Sequence, residues 1–147
     1  MSPLSPLRIL LADDDDDDTF LFREALAQVQ LATELSVAGN GVELIRILKD
    51  TSAKPDIIFL DMNMPVKNGL ECLEEIRSTA GYEQIPVVIL STSVAQYLWE
   101  SAYRNGANLY IQKPTSFNGL IEILKKCLLK QAEPAEPEGL EQFLIIN

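Results

Sequence analysis

Short apolar runs alternate along the chain with segments whose apolar residues recur at helical spacing. Residues 8–13 (RILLAD) predict a buried strand, and residues 20–29 (FLFREALAQV) follow with Phe22, Ala25, Leu26 and Val29 on one helical face. Residues 35–39 (LSVAG) predict a second strand, closed by Asn40-Gly41, and residues 42–50 carry Leu44, Ile45 and Leu48 at helical spacing. Residues 56–61 (DIIFLD) set four apolar residues between two aspartates, as in a central parallel strand covered on both faces. Residues 69–77 place Leu70, Leu73 and Ile76 together, and Pro86 opens a fourth strand over 86–91 (PVVILS). Residues 94–106 predict a helix with Gly106 as its stop, residues 107–114 (ANLYIQKP) a fifth strand, and residues 117–130 a last helix facing inward through Leu120, Ile123, Leu124, Cys127 and Leu128.

Five strand-then-helix units imply parallel pairing with right-handed crossovers, hence an α/β doubly wound sheet with helices on both faces. Functional groups in such sheets gather at the carboxyl ends of the strands. The first strand ends in Asp13-Asp14, the third in Asp61, the fourth in Ser91-Thr92 and the fifth in Lys113-Pro114. Three carboxylates, a hydroxyl and an ammonium therefore converge on one crevice. Buried like charges need cations to offset them, and one divalent ion with Lys113 balances Asp13, Asp14 and Asp61. An all-oxygen ligand set that leaves room for water suits Mg²⁺.

Six aspartates run from Asp13 to Asp18. Asp15 to Asp18 fall where the chain turns into a helix, so one or two of them can cap its free N–H groups and favour its dipole. Asp16 to Asp18 are assigned to this turn-and-cap role, whereas Asp13 and Asp14 point into the crevice.

The 147 residues, 47% of them apolar, suffice for one well-buried core. A net charge of −10 disfavours binding to nucleic acid or to an anionic membrane. No apolar run is long enough to span a bilayer, and the N-terminus lacks a basic region ahead of an apolar one, so the expected location is cytoplasmic. The chain has no histidine, which excludes a histidine metal site, a Ser-His-Asp triad and a histidine phosphocarrier. Cys72 and Cys127 sit among helix-patterned apolar residues and are expected as buried free thiols.

The set LLADD at the first strand, DIIFLDMNMPVKNGLECLEEIR around the third, PVVILSTS at the fourth and YIQKP at the fifth resembles the receiver domain of two-component response regulators, CheY-like and stand-alone. The resemblance covers residues 7–130, and the Asn-X-Met-Pro and Ser-Thr-Ser features are similar to receivers that serve phytochrome-type and other hybrid kinases. It implies a flavodoxin-like five-stranded sheet in the order 2-1-3-4-5. It implies a phosphoacceptor Asp61, attacking a phosphohistidine on a sensor histidine kinase, hybrid kinase or phosphotransfer protein. It assigns Mg²⁺ to Asp14 directly, to Asp13 with or without an intervening water, and to Asp61 and the Asn63 carbonyl. Lys113 would pair with the acceptor and then with a phosphoryl oxygen, while Ser91 and the Thr92 amide would bind the phosphoryl group. The family also suggests a cis Lys113-Pro114 bond. Chemistry would be confined to self-catalysed phosphoryl acceptance and hydrolysis in a signalling domain.

Tyr110 falls where receivers carry a switch aromatic that moves with Ser91, against the plain reading of an amphipathic tyrosine on a strand. On the fourth helix Val94, Leu98 and Ala102 form the expected core stripe. Ala95, Trp99 and Tyr103 form a second stripe. Trp99 and Tyr103 are accordingly expected to be at least partly exposed next to Tyr110, the three forming a docking surface for a downstream protein. A homodimer through the fourth helix, fifth strand and fifth helix is the other use of that face.

Residues 1–130 are read as the receiver and residues 131–147 as an acidic, proline-bearing tail ending in apolar FLIIN. That ending could pack on the domain, extend a sheet edge or dock on a partner. The chain leaves no room for an output domain, so output is expected through protein contact.

Two other Mg²⁺ or Ca²⁺ chemistries fit poorly. Asp13, Asp15, Asp17, Thr19 and Glu24 have EF-hand ligand spacing, but Asp18 occupies the glycine position and the preceding RILLA behind Pro6 is too short and too β-like for the entering helix. A haloacid-dehalogenase-type phosphatase needs a second acid two residues after its nucleophile, where this chain has Asn63. The rival within the fold is a pseudo-receiver that binds partners without cycling phosphate.

Overall fold

Alternate residues of each central strand separate into two cores, one on each face of the sheet, because side chains in a strand point to opposite sides in turn. The computed structural model describes residues 6–50, 54–130 and 144–145. Its elements are β1 (Leu7–Ala12), α1 (Asp16–Gln28), β2 (Thr33–Ala38), α2 (Gly41–Asp50), β3 (Ile57–Asp61), α3 (Gly69–Ser78), β4 (Val87–Ser91), α4 (Gln96–Arg104), β5 (Leu109–Gln112), α5 (Phe117–Lys130) and β6 (Leu144–Ile145). The sheet is parallel throughout, with order β2-β1-β3-β4-β5-β6. The five expected strands thus occupy the expected order.

Leu10, Ile58, Leu60, Ile89 and Tyr110 face one core, closed by Leu44 and Leu48 of α2, Leu73 and Ile76 of α3 and Ala102 of α4. Ile9, Leu11, Ile57, Phe59, Val88, Leu90 and Ile111 face the other, closed by Phe22, Ala25 and Leu26 of α1 and Ile123, Leu124, Cys127 and Leu128 of α5. Every residue of β3 and β4 is buried. The Phe22 and Phe59 rings meet edge to face, their centroids 5.1 Å apart. Cys72 and Cys127 are buried, and neither forms a disulfide.

Several boundaries differ from the sequence expectation. Helix α1 starts at Asp16 rather than Phe20. The Asp15 carboxylate accepts from the amides of Asp17 and Asp18, and three acids in the first turn favour the helix dipole. Helix α4 starts at Gln96, which leaves Val94 outside it and 37% exposed instead of in the core. At its far end Gly106 takes φ +95°, a conformation that ends the helix as expected. The Lys113-Pro114 bond is trans, since no cis peptide occurs among the described residues. The Lys113 amide donates to the Ser91 carbonyl at 2.8 Å, so the β4–β5 ladder alone delivers this side chain to the crevice.

The ending FLIIN supplies an element that periodicity did not predict. Leu144 and Ile145 pair in parallel with Tyr110 and Ile111, so β6 adds to the open edge of β5. The acidic stretch 131–142 lies outside the described residues.

Candidate functional site

The carboxyl ends of β1, β3 and β5 bring Asp13, Asp14, Asp61 and Lys113 together. One carboxylate oxygen from each of Asp13, Asp14 and Asp61 lies within 4.8 Å of the others. Asp13 and Asp61 are 4% and 5% exposed, whereas Asp14 faces solvent. Lys113 Nζ lies 3.4 Å from Asp61 Oδ2, 3.6 Å from Asp13 Oδ2 and 2.9 Å from Asp18 Oδ2. Main-chain amides hold the two buried acids in place. Asp15 N donates to Asp13 Oδ1 at 2.9 Å, and Asn63 N donates to Asp61 Oδ1 at 3.2 Å.

The electrostatics follow from burial and crowding. Desolvation lifts Asp13 to about 6, against the opposing pull of the Asp15 amide and the Lys113 charge. Burial likewise raises Asp61, with Lys113 and the Asn63 amide opposing it. For Lys113, burial alone would lower the value, but the Asp18 hydrogen bond and the Asp61 and Asp13 charges raise it. Two carboxylates about 4 Å apart repel by roughly 4 kcal/mol at an effective dielectric constant near 20. A single ammonium cannot neutralise this group. The donors are hard oxygens and the Asp14 side is open to water, which fits a small divalent cation that keeps part of its hydration shell.

Ser91 ends β4 and is fully buried. Its hydroxyl accepts from Ser93 N at 3.1 Å and is hydrogen-bonded to the Tyr110 side chain. Tyr110 in turn donates to the Ser93 carbonyl at 2.8 Å, and the Ser93 hydroxyl accepts from Ala95 N, the cap residue of α4. Ser91, Ser93 and Tyr110 therefore form one hydrogen-bonded unit between the crevice and α4. Thr92 follows on the exposed side of the loop, and Asn63 is exposed beside Asp61.

Two expectations need correction. Tyr110, placed on an exposed docking face, is fully buried, because β5 alternates its side chains between two cores and Tyr110 falls on the α4 side. Trp99 is half-exposed, in keeping with the expectation of partial exposure. It packs against the same core and donates Nε1–H to the Val94 carbonyl at 3.1 Å, while Tyr103 remains 42% exposed. Tyr97, which the stripe pattern overlooked, is 71% exposed. Asp18, assigned to turn and cap chemistry, is instead the nearest partner of Lys113, while Asp15 makes the cap. The signal for Asp18 was the helix start: a first-turn side chain leans back toward the N-terminus, and here that is toward the strand ends.

The family profile described as the response regulator receiver domain matches residues 9–125. Response regulator Rcp1 of Synechocystis sp. is 30% identical over 125 residues, covering 82% of this chain and 85% of its own. CheY1 of Helicobacter pylori is 29% identical, covering 83% of this chain and 97% of its own. Against longer regulators the match is partial: the chain spans 51% of DctR of Bacillus subtilis. Among solved structures, the phosphorylated cyanobacterial phytochrome response regulator RcpA superposes with a TM-score of 0.82 at 32% identity, covering 90% of this chain and 98% of RcpA. The Mn²⁺-bound form of Rcp1 superposes at 0.78 with 28% identity, covering 91% of this chain and 100% of Rcp1. With its sheet order, its strand-end acids and a profile that spans most of its length, this chain belongs to the response regulator receiver domain family.

Proposed function

We propose that this chain is a phosphoacceptor: Asp61 takes a phosphoryl group from a partner's phosphohistidine, and the event changes a protein-docking surface. The observation that carries the proposal is the Lys113 ammonium 3.4 Å from the Asp61 carboxylate, within a cluster of three acids. In the transfer an Asp61 oxygen forms the new bond to phosphorus as the phosphorus–nitrogen bond to imidazole breaks. Phosphoryl transfer asks little of a protein beyond alignment and charge neutralisation. Lys113 offers one positive charge, and the Ser91 hydroxyl and Thr92 amide are candidates to hold the remaining oxygens. Asp13, Asp14, Asp61 and the Asn63 carbonyl would hold Mg²⁺, which when bound neutralises charge on the phosphoryl oxygens.

Ser91 connects this chemistry to the surface. A hydroxyl that turns toward a phosphoryl oxygen gives up its bonds to Ser93 and Tyr110, and Ser93 anchors the start of α4. Tyr97, Tyr103 and the half-exposed Trp99 give α4 an aromatic outer face, suited to a downstream protein or a second copy. A sensor histidine kinase, hybrid kinase or phosphotransfer protein is the expected donor. Nucleic acid is an unfavourable partner for a chain of net charge −10. No described helix is long and apolar enough to cross a membrane, and a cytoplasmic location accords with a kinase donor.

Incubation with acetyl phosphate and Mg²⁺ tests the proposal. A phosphoryl adduct on the intact protein, absent in Asp61→Asn, is the expected result. No adduct under any condition, with partner binding retained, would establish the pseudo-receiver instead.

A further inference from the structure

The shortest contact of Lys113 is with a residue that the phosphoacceptor reading does not use. Its ammonium donates to Asp18 Oδ2 at 2.9 Å, nearer than to Asp61 at 3.4 Å or Asp13 at 3.6 Å. The Asp18 main chain is fixed, since its amide donates to the Asp15 cap at 3.1 Å. The side chain is thereby aimed at the crevice rather than needed for the cap. The three carboxylates differ in exposure: the Asp18 side chain is 42% exposed, those of Asp61 and Asp13 only 7% and 3%. Water screens an exposed partner, so Asp18 holds the ammonium by geometry and releases it readily.

We propose that Asp18 is a positioning residue that draws the Lys113 ammonium to the crevice mouth and away from the acceptor until a phosphoryl group displaces it. The inference rests on the phosphoacceptor reading above and adds a competitor to it. While Lys113 is shared with Asp18, the buried acids keep more uncompensated negative charge and hold a divalent cation more tightly. The same sharing delays the ammonium in reaching the phosphoryl oxygens. Removing the Asp18 charge therefore moves two quantities in opposite directions. The cation binds more weakly, and phosphoryl transfer at saturating cation becomes faster.

The test compares wild type with Asp18→Asn and Asp18→Ser, the second removing any hydrogen bond that an amide could retain. Mg²⁺ affinity is measured by titration, and acyl phosphate formation is timed with acetyl phosphate at saturating Mg²⁺. Both variants should bind Mg²⁺ several-fold more weakly and accept phosphate at least about threefold faster. Both differences should vanish in a Lys113→Met background, where there is no ammonium to position. Two quantities that are unchanged, or that fall together, overturn the proposal, as does a difference that persists without Lys113. If wild type binds Mg²⁺ but takes no phosphoryl group, the phosphoacceptor reading fails, and the Mg²⁺ arm with its Lys113→Met control still decides whether Asp18 positions the ammonium.

Discussion

The α carbon of Gly69 stands so close to the end of β3 that a β carbon added there would lie 2.8 Å from the Asp61 carbonyl oxygen and 3.0 Å from the Met62 α carbon. The Gly69 amide also donates to the Met62 carbonyl at 3.1 Å, which ties the first residue of α3 to the end of β3. Asn68 caps this helix in a reciprocal capping box with Glu71. The helix start and Asp61 are thus one packed unit, and glycine is required by close approach rather than by an unusual φ.

Gly69→Ala should therefore destabilise the protein by about 1–3 kcal/mol, the range for forcing atoms into a filled space. Glycine to alanine inside a helix ordinarily stabilises by up to about 1 kcal/mol, so the sign is diagnostic. Urea denaturation measures the loss. The variant should also accept phosphate from acetyl phosphate more slowly, since backbone atoms beside Asp61 must move to make room.

The buried acids set the pH dependence of the metal-free protein. Asp13 is raised from 3.8 to about 6 by desolvation, and Asp61 is raised in the same direction. An acid with a raised folded value stabilises the fold when protonated. That contribution is complete below the unfolded value and is lost as the pH rises through the folded one. In the presence of a chelator, Tm should rise as the pH is lowered from about 7.5 to about 5, with a gain on the order of 1–3 kcal/mol. Below that range Glu75, held below its usual value of 4.5 by the Lys67 hydrogen bond, is protonated and stability falls again. Added Mg²⁺ should raise Tm strongly near pH 7.5 and little near pH 5, where protons compete for the same oxygens. Thermal melts across pH, with and without Mg²⁺, check both signs.

The sheet and the clustering of its strand-end acids were readable because β3 and β4 are buried on both faces, which writes near-continuous apolar runs ending in the crevice residues Asp61 and Ser91. Residues whose placement depends on tertiary context were harder to read. Six aspartates have weak intrinsic helix preference, yet Asp15 caps α1 within the run, and this start is what turns Asp18 toward Lys113. Tyr110 looks amphipathic in sequence, but it sits between the Ile89 strand and α4, with its hydroxyl on the Ser93 carbonyl. Two paired residues of β6 carry no periodicity, and their strand exists only because β5 offers an open edge.

Arg77 is a second residue whose role arises only in the fold. Its guanidinium donates to the Gly106 carbonyl at 3.0 and 2.8 Å, to Asn108 Oδ1 at 3.0 Å and to the Tyr82 carbonyl at 3.3 Å. Asn108 Oδ1 also accepts from Val87 N at 2.8 Å, so Arg77 clamps α3 to the loop after α4 and to the start of β4. This end of the sheet is opposite the acid crevice. Arg77→Ala should cost about 2 kcal/mol, as expected for lost hydrogen bonds to a charged group, and Arg77→Lys should recover only part because a single ammonium cannot span the fork. Denaturation midpoints measure the cost. Acyl phosphate formation at Asp61 should persist in both variants under native conditions.

Trp99, the single tryptophan of the chain, lies at the end of a short series of contacts that begins at Ser91. Ser91 Oγ accepts from Ser93 N, the Ser93 hydroxyl accepts from Ala95 N at 3.2 Å, and the α4 turn that follows carries Trp99, whose indole N–H is held by the Val94 carbonyl. A phosphoryl mimic that draws the Ser91 hydroxyl toward Asp61 breaks the first of these bonds and frees the others to shift. Beryllofluoride with Mg²⁺ should therefore change the intrinsic tryptophan fluorescence of the wild-type protein. Asp61→Asn should abolish the response by removing the site of attachment. Ser91→Ala should still bind the mimic but give a response several-fold smaller, because the hydroxyl that transmits binding to Ser93 is gone. Unaltered emission in a sample whose fluorine resonance demonstrates bound beryllofluoride would show that α4 does not follow the site, and that the signal leaves the crevice by another route.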